Sequence, residues 1–114
     1  MSCNIITTLD FVRELRHLSK RYRSIKDDVA KLGEQLRANP TLGTDLGGGI
    51  RKIRLAIGSK GRGKSGGARV ITYNIVAKVE DGTVVLVTIY DKAERTNIEK
   101  REIVALLKKN GFLS

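Results

Sequence analysis

The spacing of apolar residues along this chain switches from helical to strand period at Pro40, and that change limits the fold more than any other feature. Before it, Phe11, Val12, Leu15 and Leu18 recur at helical intervals, and Ile25, Val29, Leu32 and Leu36 form a second helical stripe. Two helices are predicted. Thr8 is the N-cap of the first, and Ser24 opens the second with Asp27 as a weak capping-box partner. A tight turn near Arg21 to Arg23 would let them pack antiparallel. Ile5 to Thr8 reads as a short β-prone opening, and Pro40 stops the second helix after Asn39. After a glycine-rich loop at 41–49 the period becomes that of strands. Ile50 to Ile57 places Ile53, Leu55 and Ile57 on one face and Lys52 and Arg54 on the other. Gly58 to Gly67 reads as a flexible basic loop, and Ala68 to Lys78 as a β-branched strand. Asp81-Gly82 is a hairpin turn signal. Thr83 to Tyr90 is almost continuously apolar, as in a central strand buried on both faces. Thr96 to Glu99 reads as the capping box of a last helix carrying Ile103, Leu106 and Leu107, with Asn110-Gly111 as its stop. The order is β-α-α-β-β-β-α, an α+β single domain over residues 1–114.

Charge narrows the function. Lys and Arg total 22 against 12 acids, a net charge of +10. The excess is concentrated: no acid occurs from Leu46 to Val79, a span holding Arg51, Lys52, Arg54, Lys60, Arg62, Lys64, Arg69 and Lys78. Single-sign charge on neighbouring strands and their loop gives a focused field that attracts polyanions. Few aromatics are present, which argues against base stacking on a broad aromatic platform. The lone Cys3 forms no internal disulfide and reads as inert near a frayed terminus, and no Cys/His metal spacing exists. No apolar run approaches the roughly 18 residues of a membrane helix, and no signal-peptide core is visible before residue 20. The expectation is a soluble, cytoplasmic protein with no membrane partner and no cofactor.

Gly58 to Ser65 satisfies the phosphate-loop pattern G-x-x-x-x-G-K-[ST]. That loop works because a helix begins at its Lys and turns its N-terminus to the phosphates. Here Gly66-Gly67 and a β-branched strand follow instead, so the segment reads as a basic hairpin loop. His17, the one histidine, reads as a helix-surface residue, and the acids fall in ordinary helical charge patterns. Any catalysis must use Lys, Arg and Tyr.

The two-helix start, Asn39-Pro40 with Gly43, and Gly49-Ile50-Arg51-Lys52-Ile53-Arg54 resemble the RelE/HigB toxins of bacterial toxin–antitoxin pairs. So do Gly63-Lys64-Ser65-Gly66-Gly67-Ala68-Arg69, Val70 to Tyr73, and Ile89-Tyr90-Asp91-Lys92 with Glu94. The Gly-Lys-Ser-Gly-Gly-x-Arg segment is the most specific part and resembles the HigB branch. The resemblance covers Phe11 to Leu107. It implies a microbial-RNase-like fold, a twisted antiparallel sheet flanked by helices. It also implies metal-free cleavage of messenger RNA on the ribosome, and neutralisation by an antitoxin, typically a helix-turn-helix protein. The implied catalytic set is Lys52, Arg54, Arg69, Tyr90 and Lys92, with Lys52 taking the 2′-OH proton and Arg69 holding the scissile phosphate. Arg51, Lys60, Arg62, Lys64 and Tyr73 form the implied RNA-binding set, Arg51 as rim charge and Tyr73 orienting a base. No tyrosine follows Tyr90, where some relatives carry a catalytic one, so the general acid is open.

Two other readings fit parts of the sequence. The order from residue 24 to 110 is that of a double-stranded-RNA-binding module, which would bind without cleaving. Toxins that inhibit DNA gyrase share the RelE-type fold, so fold alone does not decide the activity.

Overall fold

The computed structural model describes residues 3–61, 63, 64, 66–75 and 82–114. Its elements are β1 (Asn4–Thr7), α1 (Leu9–Ser19), α2 (Ile25–Ala38), β2 (Thr44–Gly47), β3 (Ile50–Leu55), β4 (Ala68–Ile75), β5 (Thr83–Asp91) and α3 (Lys100–Lys109). A 3₁₀ turn, Gly58–Lys60, lies between β3 and β4. The five strands form one sheet in the order β1-β5-β4-β3-β2. The α+β class holds, with two differences from the expected sheet. β1 runs parallel to β5, so the sheet is mixed. The glycine-rich segment after Pro40 contributes the edge strand β2, antiparallel to β3. Its strand character comes from pairing with β3 and not from apolar alternation.

Both faces of the sheet are covered. α1 and α2 bury Phe11, Leu18, Ile25, Leu32 and Leu36 against Ile53, Leu55, Val70, Val84, Leu86 and Ile89. α3 buries Ile103 and Leu107 against Ile50, Ile71, Val85, Val87 and Tyr90. β5 is therefore buried from Val84 to Asp91, as its apolar run requires. Val12 departs from the expected helix face and is 39% exposed, because it is rotated about a third of a turn from Phe11.

Helix boundaries follow their local chemistry. Thr8 caps α1 by accepting from Phe11 N at 2.9 Å. Ser24 precedes α2, but its hydroxyl donates to Asp28 Oδ2 instead of making a cap bond, so Asp28 and not Asp27 is its partner. Asn39 ends α2 ahead of Pro40, as expected. α3 begins four residues after the predicted cap, with Glu99 at its N-cap. The segment before it turns at residues 92–94, where Glu94 N and Arg95 N donate to the Asp91 carbonyl, and is tied down beyond: Lys92 Nζ donates to the Thr96 carbonyl, Arg95 Nε donates to the Asn97 carbonyl, and Ile98 is buried. The Asp81-Gly82 turn and the strand end at Lys78 involve residues outside those described. Among the described residues no helix is long and apolar enough to cross a membrane.

Two irregularities shape the sheet. A Cβ on Gly67 would lie 2.1 Å from the Leu55 carbonyl, so only glycine lets the start of β4 approach β3 here. In β5 the register slips: Ile71 pairs with Thr88 but Thr72 pairs with Leu86, leaving Val87 as the extra residue of a β-bulge. Its carbonyl is not left bare, because the buried Thr8 hydroxyl donates to it at 2.7 Å. Thr8 thus joins the α1 cap to the bulge. Thr8→Val removes the cap and leaves a buried carbonyl unsatisfied, and is expected to cost about 2 kcal/mol. Urea unfolding measures it; a midpoint equal to wild type would show that Thr8 does not support the bulge.

Candidate functional site

Strand register brings most of the expected residues onto one sheet face. Arg54 pairs with Arg69 across β3 and β4, and Arg69 pairs with Tyr90 across β4 and β5. Paired residues of neighbouring strands project to the same side. Arg54, Arg69 and Tyr90 therefore form one row, and Lys52 lies on the same face, two residues along β3 from Arg54. Tyr73 shares that face but lies beyond Ile71, half-buried against the cluster under α3.

The row is anchored by burial and fixed hydrogen bonds. Arg69 is only 8% exposed, and its Nη1 donates to the carbonyls of Lys64 at 3.0 Å and Ala68 at 3.1 Å. Tyr90 is buried, and among the described residues its hydroxyl has no hydrogen-bond partner. Burial pushes the Tyr90 phenol above its ordinary pKa, and the nearby Arg69 and Arg95 only partly oppose that shift. At neutral pH it keeps its proton.

The turn and loop after β5 add two residues that the sequence pattern did not single out. Arg95 places its guanidinium 5.8 Å from the Tyr90 ring centroid, a cation–π contact. It is held there by Glu102 on α3, whose carboxylate it pairs with. Asn97 Oδ1 accepts a hydrogen bond from Lys52 Nζ at 3.0 Å. Lys92 donates to the Thr96 carbonyl at 2.8 Å in the same segment. Residues 92–97 thus form a strap that holds Lys52, Tyr90 and Lys92. Basic and amide side chains in a linker of mixed composition gave no signal of this, since the Lys52–Asn97 bond crosses 45 residues of sequence.

Other expected residues lie elsewhere. Arg51 projects to the opposite face from Lys52, donates to the Thr41 carbonyl and lies 3.8 Å from Asp45. Lys64 is exposed near the row. Arg62 lies outside the described residues. Lys60 does not join the row: its ammonium is 2.8 Å from Asp91 Oδ1, with its side chain only 11% exposed. The loop carrying it is not free at its start, since Gly58 N donates to Asp28 and Ser59 N to Ser24. No helix begins at Lys64; β4 follows, so the phosphate-loop pattern is not realised. Cys3 is buried, its thiol donating to the Leu36 carbonyl, instead of frayed at the terminus. His17 lies at the helix surface 3.9 Å from Glu94.

Asp91 fixes the end of β5 from the other side. Its side chain is fully buried and accepts from Lys60, Tyr22 and the Ala93 backbone. Burial alone would raise its pKa, but the hydrogen bonds from Lys60 and Tyr22 outweigh it and hold the carboxyl below its ordinary value. The same contact raises the Tyr22 phenol, chiefly through its hydrogen bond to Asp91.

Fold and site define a small α+β protein that concentrates cationic side chains and one buried tyrosine on a single sheet face beside α3. The chain belongs to the RelE toxin family. The family model described as the RelE toxin of the RelE/RelB toxin–antitoxin system matches residues 7–112. The protein is thus of the toxin type in such a pair, and the family implies a RelB-type antitoxin as its partner.

The Asp91 network makes a stability prediction with a definite sign. A carboxyl whose pKa is lowered on folding contributes stability above its unfolded pKa of about 3.9 and loses it as pH falls through the folded value. Asp91→Asn leaves Lys60 buried without its counter-charge and is expected to cost about 3 kcal/mol near neutral pH. The gap between wild type and variant should narrow as pH drops below about 4. Chemical denaturation at a series of pH values reads both; a gap independent of pH would remove the ion pair as its source.

Proposed function

We propose that this toxin is an endoribonuclease that cuts messenger RNA on the ribosome and so arrests translation. The observation that carries the reading is the row Arg54–Arg69–Tyr90 with Lys52 beside it on one sheet face. That arrangement suits attack of an RNA 2′-OH on the adjacent phosphate. Lys52 takes the 2′-OH proton. The 2′-oxygen forms its bond to phosphorus as the bond to the 5′-oxygen breaks, giving a 2′,3′-cyclic phosphate and a 5′-OH. Arg69, assisted by Arg54, stabilises charge that develops on the phosphate oxygens. Tyr90, whose phenol is protonated and unpartnered among the described residues, is assigned as proton donor to the leaving 5′-oxygen, a role that requires the side chains covering its hydroxyl to move aside when RNA binds. Lys92 is the alternative donor on the same face.

The strap residues support this chemistry indirectly. Asn97 orients the Lys52 Nζ, and Arg95 braces the Tyr90 ring while adding positive charge. Lys64 and Tyr73 are assigned to RNA binding near the row. Lys60 is assigned to the Asp91 network. Arg51 is assigned to the rim. Chemistry on the ribosome, a cytoplasmic location and a helix-turn-helix antitoxin belong to the same proposal.

The test is induction of the chain alone in a bacterium, with 5′ ends of messages mapped beside Lys52→Ala and Arg69→Ala. New cuts within translated regions are expected for wild type. Both variants should reduce them by about a hundredfold or more. Purified message without ribosomes should remain intact. Growth arrest with intact messages would replace this reading with gyrase inhibition. Intact messages and normal growth would leave an RNA-binding module without chemistry.

A further inference from the structure

Pairing between β2 and β3 extends along β3 only from Ile50 to Lys52. Beyond it, Ile53–Leu55 have an outer edge with no strand beside them among the described residues, and α2 contributes the facing wall. Between them lies a cleft of about 820 Å³. Leu32, Leu42 and Leu55 contribute to its apolar lining, and Lys31, Lys64, Lys52 and Arg54 contribute charge. It is continuous with the functional row through Lys52 and Arg54.

The charge balance in the cleft favours an anion. Lys31 and Lys64 are exposed, and neither ammonium has an ion-pair partner among the described residues. Asp28 is the one acid among the described lining residues, and its carboxylate already accepts from the Ser24 hydroxyl and Gly58 N. Among the described residues no aromatic ring lines the cleft, so they offer no platform for stacking a base. Its chemistry therefore suits backbone phosphates and gives affinity without reading sequence.

We propose that this cleft is the track for single-stranded RNA flanking the scissile phosphate, with Lys31 and Lys64 taking phosphates on that flank. The assignment rests on the ribonuclease reading for its occupant, and it adds the path of the strand. Arg54 lines both the row and the cleft, so a strand held at the row can continue into the cleft.

The experiment is fluorescence anisotropy of a short labelled single-stranded RNA, 2′-O-methylated so that it is not cut, titrated with the full chain at several salt concentrations. The Lys31→Glu/Lys64→Glu double variant is expected to bind about tenfold more weakly near 0.1 M salt. The slope of log affinity against log salt should fall in magnitude by about 1.4, the value for two fewer neutralised phosphates on a single strand. The weakening should be equal for RNAs of different sequence. Lys26→Glu, on the same helix but outside the cleft, should bind like wild type. Affinity and slope unchanged in the double variant, or an equal weakening in Lys26→Glu, would overturn the track. So would normal RNA affinity with escape from a co-expressed cognate antitoxin, which would make the cleft a protein-binding surface. Message cleavage by Arg69→Ala in cells is read separately. Loss of cuts there with an unaffected double variant removes the cleft and keeps the nuclease; persistent cuts remove the catalytic assignment itself.

Discussion

The extra residue in β5 sets the direction of every side chain at that strand's end. Val85 and Val87 both pack under α3. Strict alternation from there would send Ile89 and Asp91 to the same face and bury Tyr90 beneath α1 and α2. The bulge at Val87 reverses the alternation, so Ile89 enters the core under α1 and α2 while Tyr90 pairs with Arg69. It also turns Asp91 inward to Lys60 and Tyr22. The bulge disturbs a ladder that Thr8 repairs from the start of α1. The start of the chain and the tyrosine of the functional row are therefore mechanically linked through one hydroxyl.

Charge is handled differently on the two faces. On the α1–α2 side, a buried carboxylate meets a nearly buried ammonium, and each satisfies the other. Burial there makes the pair costly to split. On the other side, cations gather with fewer acids. Glu102 engages Arg95, while Lys52 and Lys92 are held by uncharged acceptors, Asn97 Oδ1 and the Thr96 carbonyl. Neutral acceptors position an ammonium without cancelling its field. That combination keeps the face electropositive while limiting the freedom of its longest side chains, which lowers the ordering cost of binding an anion.

Some of this was legible in the sequence. Alternation in Ile50 to Ile57 separated Lys52 and Arg54 from Ile53 and Leu55 correctly, because period-2 patterning leaves little choice of face. The helices were legible for the same reason at period 3.6, and Thr8 by its cap chemistry. β2 was not, since Thr44–Gly47 has no apolar alternation and becomes a strand only beside β3. The start of α3 was misplaced because Thr96 to Glu99 has good capping chemistry locally, while the burial of Ile98 and the grip of Lys92 on Thr96 are tertiary. The roles of Lys60, Arg95 and Asn97 share that limit. Basic residues on a loop look alike in sequence, and what separates a core ion pair from a surface cation is a partner 31 positions away. The acid-free run located the cationic face, and strand register arranged it.

The Tyr90 hydroxyl carries the balance between folding and function furthest. A buried hydroxyl left without a partner costs about 1–3 kcal/mol, and tyrosine here has one large apolar body that would pack equally well as phenylalanine. The chain keeps the oxygen at the end of a bulged strand, between two arginines that lower the pKa and a burial that raises it further. Those opposing effects hold a proton firmly at neutral pH while leaving it aimed at no protein acceptor among the described residues. In the ribonuclease reading, the missing acceptor is the leaving oxygen of the RNA, reached once the side chains covering the hydroxyl move aside. The hydrogen bond that folding leaves unmade is then formed only as negative charge develops there, where it strengthens the transition state more than the ground state.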